Sequence, residues 1–294
     1  MRLFQVREEG SAPRLAVLQG DRALVLRSAH DDVGDALSLF EACEERGLTP
    51  AGFLAAAERA GRFERTEWSA LARPGRLRLT VPVTPPEVWG AGVTYRRSAD
   101  FREEGTGIYD RVYAAERPEL FFKATASRCS GPGEPIGRRR DSTFTAAEPE
   151  LAVVLGRRGT ILGYTLANDV SAWDIERDNP LYLPQSKIYR GCFAFGPTIV
   201  TPDEIADPGA LVLVCRVSRG GREVFRGEAS TRQLKRPIAE IVSFLLRSNE
   251  VPTGTVLSTG TGIIQPLGSG LEEGDEVTVS CPELGELRNP VALV

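Results

Sequence analysis

An α+β fold with more sheet than helix is the class this chain predicts, on three observations. Short apolar runs bounded by glycine and proline recur along most of its length, as strands separated by tight turns do. Two amphipathic stretches follow the first few runs, and only one further convincing helical stretch occurs, towards the C-terminus. No G-x-G-x-x-G leads into a helix and no P-loop occurs, so nothing points to a nucleotide-binding doubly wound sheet.

The elements follow in order. RLFQV, RLAVLQ and RALVLR read as short strands; DALSLFEACEERG and AGFLAAAERAG read as helices, the first closed by Gly47. Together they predict a small N-terminal α+β domain over residues 1–82. The proline-rich passage VPVTPPEVW marks its end, because proline is incompatible with a central strand or a helix interior. Residues 83–294 then form a larger domain of short strands: VWGAGV, ELFFKA, PELAVVLG, ILGYTLAND, CFAFGPTIV, ALVLVCRVS, TVLSTGTGII and DEVTVSC. Within it RPIAEIVSFLLRSN places Ile238, Ile241, Val242, Leu245 and Leu246 at helical spacing, a face made to pack on the sheet.

Composition narrows the function. The 294 residues are enough for a substantial core, and a formal charge of -4 gives no reason to expect nucleic acid or an anionic membrane as partner. Small molecules or proteins remain. The start, MRLFQVREEG, lacks the apolar core of a signal peptide and no apolar run is long enough to span a bilayer, so a cytoplasmic location is expected. Cys43, Cys129, Cys192, Cys215 and Cys281 form no C-x-x-C pair and read as structurally buried. The sole histidine, His30, lies far along the chain from the acidic residues considered next, which argues against serine or cysteine triads and histidine-ligated metals.

Glu148 and Glu150 stand two residues apart at the entry to an apolar strand, so a strand conformation points both to one face. With Asp169 they form a set of hard oxygen ligands whose mutual repulsion calls for a cation, and Mg²⁺ suits such a set. The plainer alternatives are solubilising acids at a strand end and an Asx turn at Asn168–Asp169. Downstream, NPLYLPQSKIYRGCFAFGP has the density of a structured loop lining a pocket, with Gln185 and Lys187 pointing inward, or of a rigid loop held by its own apolar side chains. STGTGI offers Thr259 and Thr261 among glycines, either as a cradle for a carboxylate or as a plain turn. Of 36 basic residues only Lys123, Lys187 and Lys235 are lysines. Where arginine serves everywhere else, a retained lysine suggests a use for its compact, deprotonatable ammonium group.

The segments EPELAVVLG, GYTLANDVS, LPQSKIYRGCFAFGP and TGTGI, in that order, resemble the fumarylacetoacetate hydrolase superfamily across roughly residues 85–290. The resemblance implies a mixed β-sheet roll of that superfamily's C-terminal type. It also implies a divalent cation held by Glu148, Glu150 and Asp169, usually Mg²⁺, with Mn²⁺ or Ca²⁺ as substitutes, and a 2-oxo acid that chelates it. GVTYRRS, DRVYAAERPELFFKAT and NPLYLPQSKIY are similar to the branch that dehydrates 2-keto-3-deoxy sugar acids. That implies a lyase with Lys187 as base and Glu119 as acid, or with Lys187 holding the substrate carboxylate while Glu119 makes both proton transfers. Lys123, Tyr95, Gln185 and Thr261 are then candidate substrate contacts. Hydrolases of the superfamily activate water with a histidine and a glutamate after the first core strand; the matching run Thr94–Asp100 carries Ser98 and Asp100 instead. A hydrolase of an acylpyruvate or a 2,4-diketo-3-deoxy sugar acid and a non-catalytic metal-binding scaffold are the alternatives. A homodimer or homotetramer is implied by the resemblance.

Overall fold

The computed structural model describes residues 1–71, 75–96 and 107–294. Ser98 and Asp100 lie outside the described residues. The fold is α+β: a mixed main sheet, a smaller five-stranded sheet and a few helices laid against them.

Among the described residues the main sheet has twelve strands. Its N-terminal part runs Phe63–Glu67, Arg22–Leu26, Arg14–Gln19 and Arg2–Glu8. It continues through Phe193–Val200, Ile161–Asp169, Pro149–Leu155, Thr255–Ser258, Val88–Gly92 and Glu119–Ala124. Arg2 and Leu3 pair with Val200 and Ile199, so one sheet crosses the proline-rich passage that separates residues 1–82 from 83–294. The second sheet orders Arg222–Ser230, Val212–Arg219, Glu276–Cys281, Gly285–Leu293 and Ile136–Arg138.

Each face of the main sheet has its own core. One buries Leu151, Val153 and Leu166 against Cys215, Val217 and Val279 of the second sheet and against Ile241 and Leu245 of helix Ile238–Leu245. The other buries Ala152, Val154 and Ala167 against Leu39, Phe40 and Phe53 of helices Ala36–Arg46 and Pro50–Arg59. Strand alternation separates the two sets, as odd and even positions of Pro149–Leu155 demonstrate. The first of these helices begins at Asp35, whose carboxylate accepts from Ser38 N, and ends at Gly47 with φ 65°, as its sequence predicts.

The structure departs from the sequence reading in six of the elements it describes. Ile108–Ala114, Trp173–Asp178 and Leu183–Lys187 are helical but too short, at seven, six and five residues, to show a helical period. Arg222–Ser230 is a strand whose charged, exposed edge hides the apolar alternation. Gly285–Leu293 is also a strand, despite Pro290. TVLSTGTGII is strand only to Ser258, because Gly260 has φ 92° and turns the chain away. Cys192, Cys215 and Cys281 are buried, whereas Cys43 and Cys129 are half-buried, and none is in a disulfide. Among the described residues no helix is long and apolar enough to cross a membrane.

Candidate metal centre

Pairing of two central strands builds the centre. Pro149 lies opposite Asn168 and Glu150 opposite Ala167, and Asp169 N donates to Glu148 O at 2.9 Å, so Glu148 and Asp169 face each other across the ladder. Alternation adds Glu150 to the same face. The three carboxylates each offer an oxygen within 4.8 Å of the others, and all three residues are buried.

Each carboxylate is held from a different side. Ser258 Oγ and Gly260 N donate to Glu150 Oε2 at 2.5 and 2.6 Å, so the positive φ of Gly260 has a use: it aims a backbone N–H at a carboxylate. Lys187 Nζ donates to Glu148 Oε1 at 2.9 Å, Asp169 Oδ2 at 3.1 Å and Ser171 Oγ at 2.7 Å. Lys123 Nζ lies 2.5 Å from Asp169 Oδ1 and donates to Val170 O at 2.9 Å. The two lysines beside the acids are thus buried with them, while the third, Lys235, is exposed. His30 sits against Phe53 in the N-terminal lobe and has no part in this arrangement.

Burial pushes the Glu150 carboxyl up to about 8, and the charges of Asp169 and Glu148 act in the same direction. Burial is the larger cause and the neighbouring carboxylates the smaller, and a divalent cation among the three oxygens would offset both. The donor set therefore fits a hard dication. The sign of the pH dependence follows. A carboxyl whose folded-state value is raised stabilises the metal-free fold below its unfolded value near 4.5, and that contribution is lost as pH rises through about 8. Cation binding runs the other way, since it needs the carboxylate. Mg²⁺ affinity is expected to rise by up to roughly tenfold per pH unit below about 8 and then level off, with about one proton released per ion. Titration calorimetry in buffers of different ionisation enthalpy reads both quantities, and a pH-independent affinity would refute the coupling.

The remaining predicted residues fall into two groups. Glu119 and Phe121 lie opposite Gly92 and Gly90 and share one face of Glu119–Ala124, and Lys123, the extra residue at a register shift in that pairing, reaches Asp169. Glycines of the neighbouring strand make room for the first two: a Cβ on Gly92 would collide with the Glu119 carboxylate, and one on Gly90 would come within 2.5 Å of the Phe121 ring. Lys187 Nζ lies 5.1 Å from the Phe121 ring centre. Tyr95 is buried, and burial together with the charge of Glu150 raises its phenol well above the ordinary value, which places it beside the centre. Thr261 is buried next to Gly260, and its Oγ1 accepts from Ile263 N at 3.0 Å.

Gln185 is the correction. It was expected to point inward with Lys187, but it is exposed, and its backbone carbonyl accepts from Arg139 Nη1 at 2.9 Å. The segment is a helical turn, in which residues two apart lie on different faces, so burying Lys187 turns Gln185 out.

Sequence reasoning missed Ser171 and Trp173. The chain from Asp169 to Trp173 is nearly extended, so Asp169, Ser171 and Trp173 alternate towards the centre: an acid, a hydroxyl on Lys187, and an indole whose Nε1 donates to Glu148 Oε1 at 2.6 Å. The period-two spacing in NDVSAWD was the available signal.

An α+β roll with a buried carboxylate and lysine centre at the ends of its middle strands defines a class of enzyme-like protein built to hold a divalent cation. The chain belongs to the fumarylacetoacetate hydrolase family, whose model, "Fumarylacetoacetate (FAA) hydrolase C-terminal", matches residues 87–292. It is 42% identical over 301 residues to 2-dehydro-3-deoxy-D-arabinonate dehydratase of Saccharolobus solfataricus, covering 99% of this chain and 96% of that one. A probable 2-keto-3-deoxyxylonate dehydratase of Haloferax volcanii is 45% identical over 218 residues, covering 73% of this chain and 75% of the relative. The solved structure of 2-keto-3-deoxy-D-arabinonate dehydratase complexed with magnesium and 2,5-dioxopentanoate superposes with a TM-score of 0.85 at 39% identity, covering 100% of this chain and 99% of that one.

Proposed function

We propose that this protein is a Mg²⁺-dependent hydro-lyase that removes water from a 2-keto-3-deoxy sugar acid, such as 2-keto-3-deoxy-D-arabinonate, to give 2,5-dioxopentanoate. The observation that carries the reading is the buried trio Glu148, Glu150 and Asp169 with Lys187 hydrogen-bonded into it, in a chain similar over almost its whole length to dehydratases of such acids. With Lys123 and Lys187 both as ammonium groups, three carboxylates and two cations sum to −1, a dication brings the sum to +1, and the carboxylate of a 2-oxo acid brings it to zero, a balance that suits the arrangement in which Lys187 holds that carboxylate.

Glu148, Glu150 and Asp169 would hold the cation, whose Lewis acidity draws electrons towards the 2-oxo group and so acidifies the C3 proton. Lys187, entering the step as its neutral amine, takes that proton and becomes the ammonium, and Glu119, entering as its neutral acid, protonates the C4 hydroxyl as it leaves. Moving a proton from C5 to C3 turns the resulting unsaturated alcohol into a C4–C5 enol, and transfer of the enol's O–H proton to C4 then gives the C5 aldehyde. In the other arrangement of roles, Lys187 holds the substrate carboxylate and Glu119 carries both protons. Lys123 fixes Asp169, and Tyr95 and Thr261 contact substrate oxygens. Residues 83–294 carry this chemistry, and residues 1–82 extend the main sheet and cover one of its faces. Free cysteines accord with a reducing, cytoplasmic setting, and the assembly is a homodimer or homotetramer.

The test incubates the protein and Mg²⁺ with a panel of 2-keto-3-deoxy pentonates and hexonates and identifies products by mass. A product lighter by one water supports dehydration; two carbon fragments would instead identify a hydrolase. Glu148→Gln is expected to abolish turnover and weaken Mg²⁺ binding at least tenfold while the fold persists, because it removes an anionic ligand. Wild-type turnover in that variant would sink the metal-centred reading.

A further inference from the structure

Trp173 is buried to 1% exposure, yet its indole N–H is spent on a carboxylate. Its ring packs with Phe144, Ala146 and Ile264, a task that any large apolar side chain performs. The donor is the part of the residue that packing does not explain. Its acceptor, Glu148 Oε1, receives a second hydrogen bond from Lys187 Nζ, so the two lone pairs of that oxygen are engaged by two donors.

The two donors differ in kind. Lys187 carries an exchangeable proton and, on the reading above, changes its proton or its partner during turnover. Indole does neither. Trp173 is also fixed at its backbone, where its N donates to Phe144 O at 3.0 Å, and it follows the short ladder in which Thr145 pairs with Ala172 and Ala146 with Ser171. We infer that Trp173 is a positioning residue: its indole N–H holds Glu148 in the orientation that binds the cation, independently of the state of Lys187.

The inference rests on the Mg²⁺ reading, and the experiment separates the two. Mg²⁺ binding to wild type, Trp173→Phe and Phe144→Leu is measured by titration calorimetry, and turnover is followed against Mg²⁺ concentration. Trp173→Phe should raise the Mg²⁺ dissociation constant roughly 10- to 100-fold, the usual effect of removing a donor to a metal ligand. Turnover at saturating Mg²⁺ should recover to within about threefold of wild type, since the defect lies in affinity. Phe144→Leu, which loosens the packing and keeps the N–H, should bind Mg²⁺ like wild type. A wild type that binds no Mg²⁺ overturns the functional reading and this inference with it. A wild type that binds, with Trp173→Phe equal to it or with both variants equally weakened, overturns the inference alone. So does a loss of turnover that no Mg²⁺ concentration restores. If Trp173→Phe does not fold, a benzothienyl analogue at position 173, which keeps the ring and removes only the donor, reads the same difference.

Discussion

Lys187→Met is expected to lower turnover roughly 10²- to 10⁴-fold at saturating Mg²⁺, the range associated with loss of a positioned proton-transfer group. Methionine nearly matches the length of lysine and tolerates a buried site, so the change isolates the ammonium group. That group reaches Glu148, Asp169 and Ser171 at once, a three-way contact suited to a compact ammonium and not to the planar fork of arginine. Lys187→Arg should therefore fail as well, although it keeps the charge. Steady-state kinetics distinguish the two roles: a fall in kcat with KM unchanged identifies the base, and a rise in KM identifies the residue that holds the substrate carboxylate. Turnover near wild type in Lys187→Met would exclude both.

Lys123→Met should act on stability as strongly as Lys187→Met acts on rate. Lys123 is fully buried, and its Nζ lies between Asp169 Oδ1 at 2.5 Å and Val170 O at 2.9 Å. Removing one partner of a buried ion pair costs about 3–5 kcal/mol where the other is left uncompensated; Asp169 keeps Lys187 Nζ at 3.1 Å, so the loss should lie near the lower end of that range. A cation on Asp169 would replace part of the missing charge, so the loss should be larger in Mg²⁺-free buffer than with Mg²⁺ present. Urea unfolding in the two buffers measures this, and equal stability of variant and wild type without Mg²⁺ would show that Asp169 is compensated elsewhere.

The carboxylates were legible because period-two alternation is a strict rule: Glu148 and Glu150 had to share a face if the segment was strand. The lysines were legible through scarcity, since a chain that writes arginine almost everywhere keeps lysine at two buried acidic contacts. Gln185 was misplaced because five residues cannot display a helical period, and one turn of helix reverses the direction of a neighbour. Trp173 escaped because a buried indole has two readings and its sequence context reports only the apolar one. Gly90 and Gly92 gave no sign of which side chains would lie over them, for that depends on the register with Glu119–Ala124. The small N-terminal elements were recognisable one by one, but not their continuity with the larger sheet. Backbone pairing across two hundred residues leaves no local mark.

That continuity makes the N-terminal segment a permanent part of the catalytic architecture. Strand Arg2–Glu8 borders Phe193–Val200, which in turn borders the strand ending at Asp169. A fragment cut at residue 83 would leave backbone donors and acceptors of Phe193–Val200 unpaired and strip the cover from Phe193, Phe195 and Ile199. Such a surface recruits other chains before it recruits substrate. For evolution and for engineering alike, the chemistry of this protein is not a transplantable cassette: its cation ligands stand at the second and third strands from a seam that its own first residues close.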